Sequence, residues 1–190
     1  MQSDGFMRVS EALRRRLVAA LPGTETVHVG PLDDQNAATA ALVLFLYRIS
    51  VNPDLRNAGH LAPARGPAAV DTFYRESIPF DLHYVLSASP SRFGDDLEGL
   101  ARLGAGIRAL VGTPDLTGAA VQGETVRLSL ETVATDELGR VWSLFPTVNY
   151  RTSVMILATP VWIDPEAALP DAPPVVEQDM RLFHQSSGVT

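Results

Sequence analysis

The run LFLYRISVNPDLRN, residues 44–57, changes character halfway along. From Ala41 to Val51 it is rich in β-favouring side chains, and up to Tyr47 it is apolar on both sides of an extended chain. That is the pattern of a strand covered on both faces. It then passes without interruption into Asn52-Pro53-Asp54, a turn-forming run bracketed by Arg48 and Arg56. A strand of this kind requires neighbours in a sheet and a layer on each side of it.

Those neighbours are legible on either side. Phe6, Val9, Leu13, Leu17 and Leu21 recur at helical spacing, and Pro22-Gly23 stops that helix. Its Arg14, Arg15 and Arg16 lie in the C-terminal half, where positive charge suits the helix dipole. Thr26 to Val29 reads as a short strand. Phe80, Leu82, Tyr84 and Leu86 alternate with Asp81 and His83, a strand with one wet or interfacial face. A helix from near Asp95 ends at Gly112-Thr113-Pro114, and Gly104 and Gly106 within it allow close approach to the sheet. Val126, Leu128 and Leu130 mark a strand. Thr135-Asp136-Glu137 opens a short helix carrying Leu138, Trp142 and Phe145, and Asn149 to Ile163 is a long strand. Pro160 in that strand places it at a sheet edge. The order predicts an α+β (or α/β) domain, a mixed sheet with helices packed against it.

Two stretches resist this reading. Asn52 to Ser77 holds Pro53, Pro63, Pro67, Gly59 and Gly66 without sustained periodicity, and reads as a long structureless connection, functional or disordered. After Ile163 the prolines at 165, 170, 173 and 174 forbid regular structure. The expected organisation is therefore one domain over 1–163 and an arm or disordered tail over 164–190.

The composition excludes several chemistries. All fifteen basic residues are arginine and there is no cysteine, so no lysine Schiff base, P-loop lysine, cysteine nucleophile, zinc–thiolate site or disulfide is available. A formal charge of −7 argues against nucleic acid as a partner. The N-terminus lacks the apolar core of a secretory signal, and the most apolar run, 37–47, is about half the ~20 residues a membrane span needs. The expectation is a cytoplasmic product that does not insert into membranes, with no cofactor.

His28, His60, His83 and His184 show no metal-ligand spacing. Asp33-Asp34 reads as turn chemistry and Asp95-Asp96 as a helix cap, rather than as metal sites. Asp81 and His83 lie two apart on one strand face, the one arrangement suited to a base and its orienting acid. They would serve a small enzyme or ligand-binding domain, a reading that requires a concave apolar pocket with His83 facing into it.

Six segments in order resemble the cap, or tail-terminator, family of phage-tail-like contractile injection systems. They are Leu46-Tyr47-Arg48-Ile49, Asn52-Pro53-Asp54-Leu55-Arg56-Asn57, and Pro79-Phe80-Asp81-Leu82-His83-Tyr84-Val85-Leu86. They continue with Val126-Arg127-Leu128-Ser129-Leu130-Glu131, Glu137-Leu138 with Trp142, and Tyr150-Arg151-Thr152-Ser153-Val154. Met155 stands where the family pattern carries an aromatic.

The resemblance implies a tail-terminator-like fold and a structural protein rather than an enzyme. It implies a ring, a homohexamer, that ends the inner tube and sheath of the particle and stops their polymerisation. The chain would assemble in the cytoplasm and then form part of the particle. Arg48, Asn52, Arg56, Asn57, Tyr150 and Arg151 would lie at subunit or tube contacts, and the edge assigned to the last strand would accept an extended arm. Another baseplate or adaptor component of the same particle would share these features.

Overall fold

The computed structural model describes residues 3–64, 69–89 and 96–166. Helix α1 (Gly5–Ala20) buries Val9, Leu13 and Leu17 completely, one residue per turn along a single stripe. After it come β1 (Val27–Val29), α2 (Gln35–Thr39) and β2 (Leu42–Val51). The segment that follows carries a separate hairpin, β3 (His60–Ala62) and β4 (Thr72–Tyr74). Next are β5 (Ile78–Ala88), α3 (Asp96–Gly112), β6 (Asp115–Leu116), a 3-10 turn at Gly118–Val121, β7 (Val126–Glu131), α4 (Thr135–Ser143) and β8 (Ser153–Ile163).

Six strands form one mixed sheet in the order β1-β2-β5-β8-β7-β6. Only β1 and β2 pair in parallel, with α2 in the connection between them; every other pair is antiparallel. The period-two alternation of β5 separates the two faces. Leu82, Tyr84 and Leu86 point to the layer of α1 and α3, where they join Leu13, Leu17, Leu42, Leu103 and Ile156 in the main core. Val85 points the other way, to Val141 of α4 and Met155, beside a second cluster of Leu32, Ala37, Val43, Trp142 and Phe145. The α+β class expected from sequence is the fold observed.

Four local expectations require correction. The last strand is not an edge: β8 lies between β5 and β7. Pro160 is tolerated there because it falls at the irregularity in the β5–β8 register and just past the last β7 partner, Thr159, so no ladder donor is lost. The stretch 52–77 is not structureless, since it holds the β3–β4 hairpin. Arg14 and Arg15 pair with Glu11 rather than with the helix end, and hold its carboxyl down to about 2. Arg16 donates instead to the carbonyls of Thr113 and Asp115.

The glycines of α3 divide. A Cβ on Gly106 would stand 3.1 Å from both Leu17 and Leu42, so that residue does set the approach of helix to sheet. A Cβ on Gly104 would meet nothing. Asp34 caps α2, its carboxylate accepting from the Asn36 amide at 2.7 Å. The Asp95 cap lies outside the described residues, as do 167–190 of the expected arm.

Candidate functional site

Two polar clusters stand out against this apolar frame. The first is centred on His83, which is 4% exposed on the α4 face of β5. Its Nδ1 lies 2.9 Å from Glu131 Oε2 on β7, and its Nε2 lies 3.0 Å from Ser50 Oγ on β2. The Arg48 guanidinium sits 3.1 Å from Nε2 and 3.3 Å from Nδ1, and reaches Glu137 of α4 at 3.5 Å. Tyr47 packs its ring against His83; burial first, then the Glu131 charge, push its phenol above the ordinary value.

The expected Asp81–His83 pair does not form. The register shifts between Phe80 and Leu82, and Asp81 instead accepts from Asn52 Nδ2 at 2.9 Å and from the Thr159 hydroxyl. The face read as wet is covered. Ser50, His83 and Glu131 do have the spacing of a nucleophile, base and orienting acid. Acyl transfer also needs donors aimed at a developing oxyanion and an opening for substrate. Here the ring is buried under Tyr47 and Arg48. The groove beside α1 is lined by Met7, Arg8, Glu11, Ala12, Arg15, Ala119 and Ala120, with neither His83 nor Asp81 among them. The arrangement is a buried tie joining β2, β5, β7 and α4.

The second cluster has no counterpart among the sequence motifs. His60, at the start of β3, donates from Nδ1 to Asp164 Oδ1 at 2.6 Å and from Nε2 to Glu124 Oε2 at 3.0 Å. Its ring stacks on Trp162 of β8, with centroids 4.7 Å apart and planes inclined by 6°. Ser77 also donates to Asp164 Oδ1, at 2.7 Å. All three ionisable side chains are buried. Two ionised carboxylates can both accept from one ring only when it is an imidazolium. Burial, the largest influence, pulls its pKa down, but the bonds to Asp164 and Glu124 outweigh it and the net direction is upward. Burial likewise pushes Asp164 up, and the bonds from His60 and Ser77, among others, bring it well below the usual carboxylate range.

The donor atoms of His60, Glu124 and Asp164 all fall within 4.8 Å of one another, and these are residue types that hold divalent metals. In this arrangement each ring nitrogen already faces a different carboxylate, which is an ion-pair sandwich rather than a chelate. It fastens the β3–β4 hairpin to the end of β8 and to the turn before β7. Asp164, assigned from sequence to the arm, therefore belongs to the body. The sequence signal is weak because the partners of His60 lie 64 and 104 residues away.

The six residues singled out for contacts are not brought into one patch by any shared bond among the described residues. Asn52 acts locally. Its Oδ1 accepts from the amides of Asp54 and Leu55, each at 3.0 Å, shaping the turn after β2. Arg56 and Asn57 are exposed in that turn. Tyr150, 62% exposed, packs edge-on against Trp142 ahead of β8. Arg151 is half-buried, its Nη1 is enclosed without an acceptor, and burial lowers its pKa. Arg48 is divided between the His83 tie and solvent.

A mixed sheet with helical layers on both faces, with His60 and His83 engaged in buried ties, is the architecture of an α+β module. Two solved structures share it. One is a cryo-EM structure of an extracellular contractile injection system, the PVC sheath/tube terminator in extended state, with TM-score 0.60 and 15% identity over 98% of this chain. The other is the cryo-EM structure of the anti-feeding prophage cap, its tube-terminating cap, with TM-score 0.61 and 20% identity over 92% of this chain. This chain spans 66% and 60% of the length of those two. No curated protein sequence matches it. The Pvc16 N-terminal domain model matches residues 8–177, and the chain belongs to that family.

Proposed function

We propose that this chain is a cap of a contractile injection particle, a ring that ends the inner tube and sheath and stops their growth. The observation that carries the reading is the match of nearly the whole chain, in fold, to two proteins described as terminators. The six ordered motifs support it, as does family membership. The partners are then further copies of the chain, six to a ring, together with tube and sheath subunits. Assembly takes place in the cytoplasm before the ring becomes part of the particle.

The physics is one of closure. A head-to-tail contact that returns on itself after a fixed number of copies uses up its own lateral surface. One face of the ring then matches the last tube or sheath layer, and the other offers no template for a further layer. Such a role needs shape and contact chemistry rather than a nucleophile or cofactor, in keeping with a chain that has neither lysine nor cysteine. Arg48, Arg56 and Arg151 suit it, because a guanidinium packs its stem and makes paired bonds to carboxylates.

Electron microscopy of particles assembled without this gene tests the reading. The expected result is tubes and sheaths of uncontrolled length. Normal lengths, with normal particle yield, would overturn it.

A further inference from the structure

The two sides of the sheet are left open at complementary places. On one side β1 covers β2 only at Leu42–Leu44, so among the described residues no strand lies beyond 45–51. On the other, β6 and the Pro114 carbonyl before it cover β7 from Val126 to Leu128, leaving Ser129–Glu131 uncovered among the described residues. The open stretches lie level across the sheet: Leu130 is in line with Ile156, Tyr84 and Leu46.

The direction of the free backbone groups follows from the bonds that are made. The Asn52 amide donates inward to the Pro79 carbonyl at 2.9 Å. Alternate residues of an antiparallel strand point to the same side. Ser50 and Arg48 therefore face β5, whereas Ile49 and Val51 turn their N–H and C=O outward. On β7 the Leu128 amide donates outward to Pro114, so Leu130, two residues on, also faces outward beyond the end of β6. These three outward residues, Ile49, Val51 and Leu130, are exposed apolar side chains, at 42%, 46% and 45%. Their strand partners Leu82, Phe80 and Ile156 place all of them on the α1 face.

We infer that the β7 edge of one copy pairs antiparallel with the β2 edge of the next, so that the sheet continues from subunit to subunit. This rests on the ring reading and names its lateral contact. One register satisfies both surface chemistries. Setting Leu130 across from Ile49 of the next copy sets Glu131 across from Arg48 and Ser129 across from Ser50. The α1 face then gains an apolar cross-strand pair and the α4 face an acid–base pair, with Cβ atoms about 4.5–5.5 Å apart. The contact is heterologous, because the two edges differ, and so it propagates until it closes. It also covers Arg48–Ser50 and Ser129–Glu131, the part of each exposed edge that would otherwise template unregulated pairing.

Two variants test this in the full chain. The protein has no cysteine, so Ile49→Cys with Leu130→Cys introduces the only two thiols. Opposed residues in this register stand within disulfide reach. Mild oxidation of the assembled double variant is expected to give a covalent ladder from dimer to complete ring, which either single variant fails to give beyond the dimer. Ile49→Pro removes an N–H that faces away from β5 and has no acceptor among the described residues. It is expected to weaken self-association at least tenfold by light scattering while the melting temperature stays within a few degrees of the parent. A ring that forms normally with Ile49→Pro and yields no ladder would overturn the edge contact and leave the ring reading standing. A ring that survives Ile49→Pro but no longer holds tube or sheath would assign the β2 edge to that partner and overturn the proposal. A parent chain that stays monomeric even on tube ends would overturn the ring reading and the contact together.

Discussion

Replacing His60 by Phe isolates the buried charge sandwich from the packing around it. Phenylalanine keeps a flat ring against Trp162, so the stack is retained and only the two donors are lost. Glu124 and Asp164, with side chains 7% and 5% exposed, are then left facing an apolar ring. Removing one partner of a buried charge pair costs about 3–5 kcal/mol. That is a large part of the ~5–15 kcal/mol of a typical domain. At about 2–4 °C per kcal/mol for a chain of this size, the melting temperature should fall by ~6–20 °C. Urea unfolding followed by tryptophan fluorescence measures it directly, since Trp162 is the ring beneath His60. The pH dependence has a definite sign. The raised pKa of His60 contributes stability that is complete below about 6.5 and is lost as pH rises through the folded value. The depressed pKa of Asp164 contributes stability present above 3.8 and lost as pH falls through its folded value. Between those limits the parent is near its optimum, while the variant's stranded carboxylates are relieved by protonation. The gap should therefore narrow from pH 6 towards pH 4. A gap below about 1 kcal/mol at pH 7, or one that does not change over that range, would refute the assignment of a buried imidazolium.

Other substitutions separate structural from surface roles. Asn52→Ala removes the turn-shaping acceptor and the donor to Asp81, and should cost about 1–3 kcal/mol in urea unfolding. Arg56→Ala, exposed in the same turn, should leave stability within about 0.5 kcal/mol and reduce tube or sheath binding in a pull-down. Gly104→Ala should stabilise by about 0.5–1 kcal/mol by thermal melting, because the added methyl meets nothing. Gly106→Ala should gain less, with Leu17 and Leu42 at 3.1 Å from the new carbon. Tyr84 is enclosed in the core and bonded to Ser10 at 2.9 Å, and burial pushes its phenol up to about 12. Ultraviolet titration of the parent should show a late phenolate step there, which Tyr84→Phe abolishes.

The long elements are legible in sequence because period and composition agree in them. Helix α1, with a core residue at nearly every turn, and strands β2 and β5, with their alternating leucines, need no tertiary information to be seen. The elements that escape a sequence reading are short. The three-residue strands β3 and β4 and the two-residue β6 are held by contacts distant in sequence, such as the bond from His60 to Asp164. Proline chemistry misleads in β8, since a bulge and an edge excuse Pro160 equally well and sequence does not distinguish them. Of the site residues, Arg48 and His83 are visible inside strand motifs, but the true acid partner of His83, Glu131, lies 48 residues away on another strand. The absence of lysine and cysteine makes catalysis unattractive from composition alone. In the structure His60 and His83 serve as buried ties between strands.

The most direct test of the cap reading is a growth assay. Tube and sheath subunits from the same particle are polymerised in the presence of increasing amounts of the purified chain, and lengths are measured by electron microscopy. A cap should stop elongation once about one ring is present per growing end, with ring density visible at the tips. Elongation that continues unchanged at saturating chain, with bare tips, would contradict it.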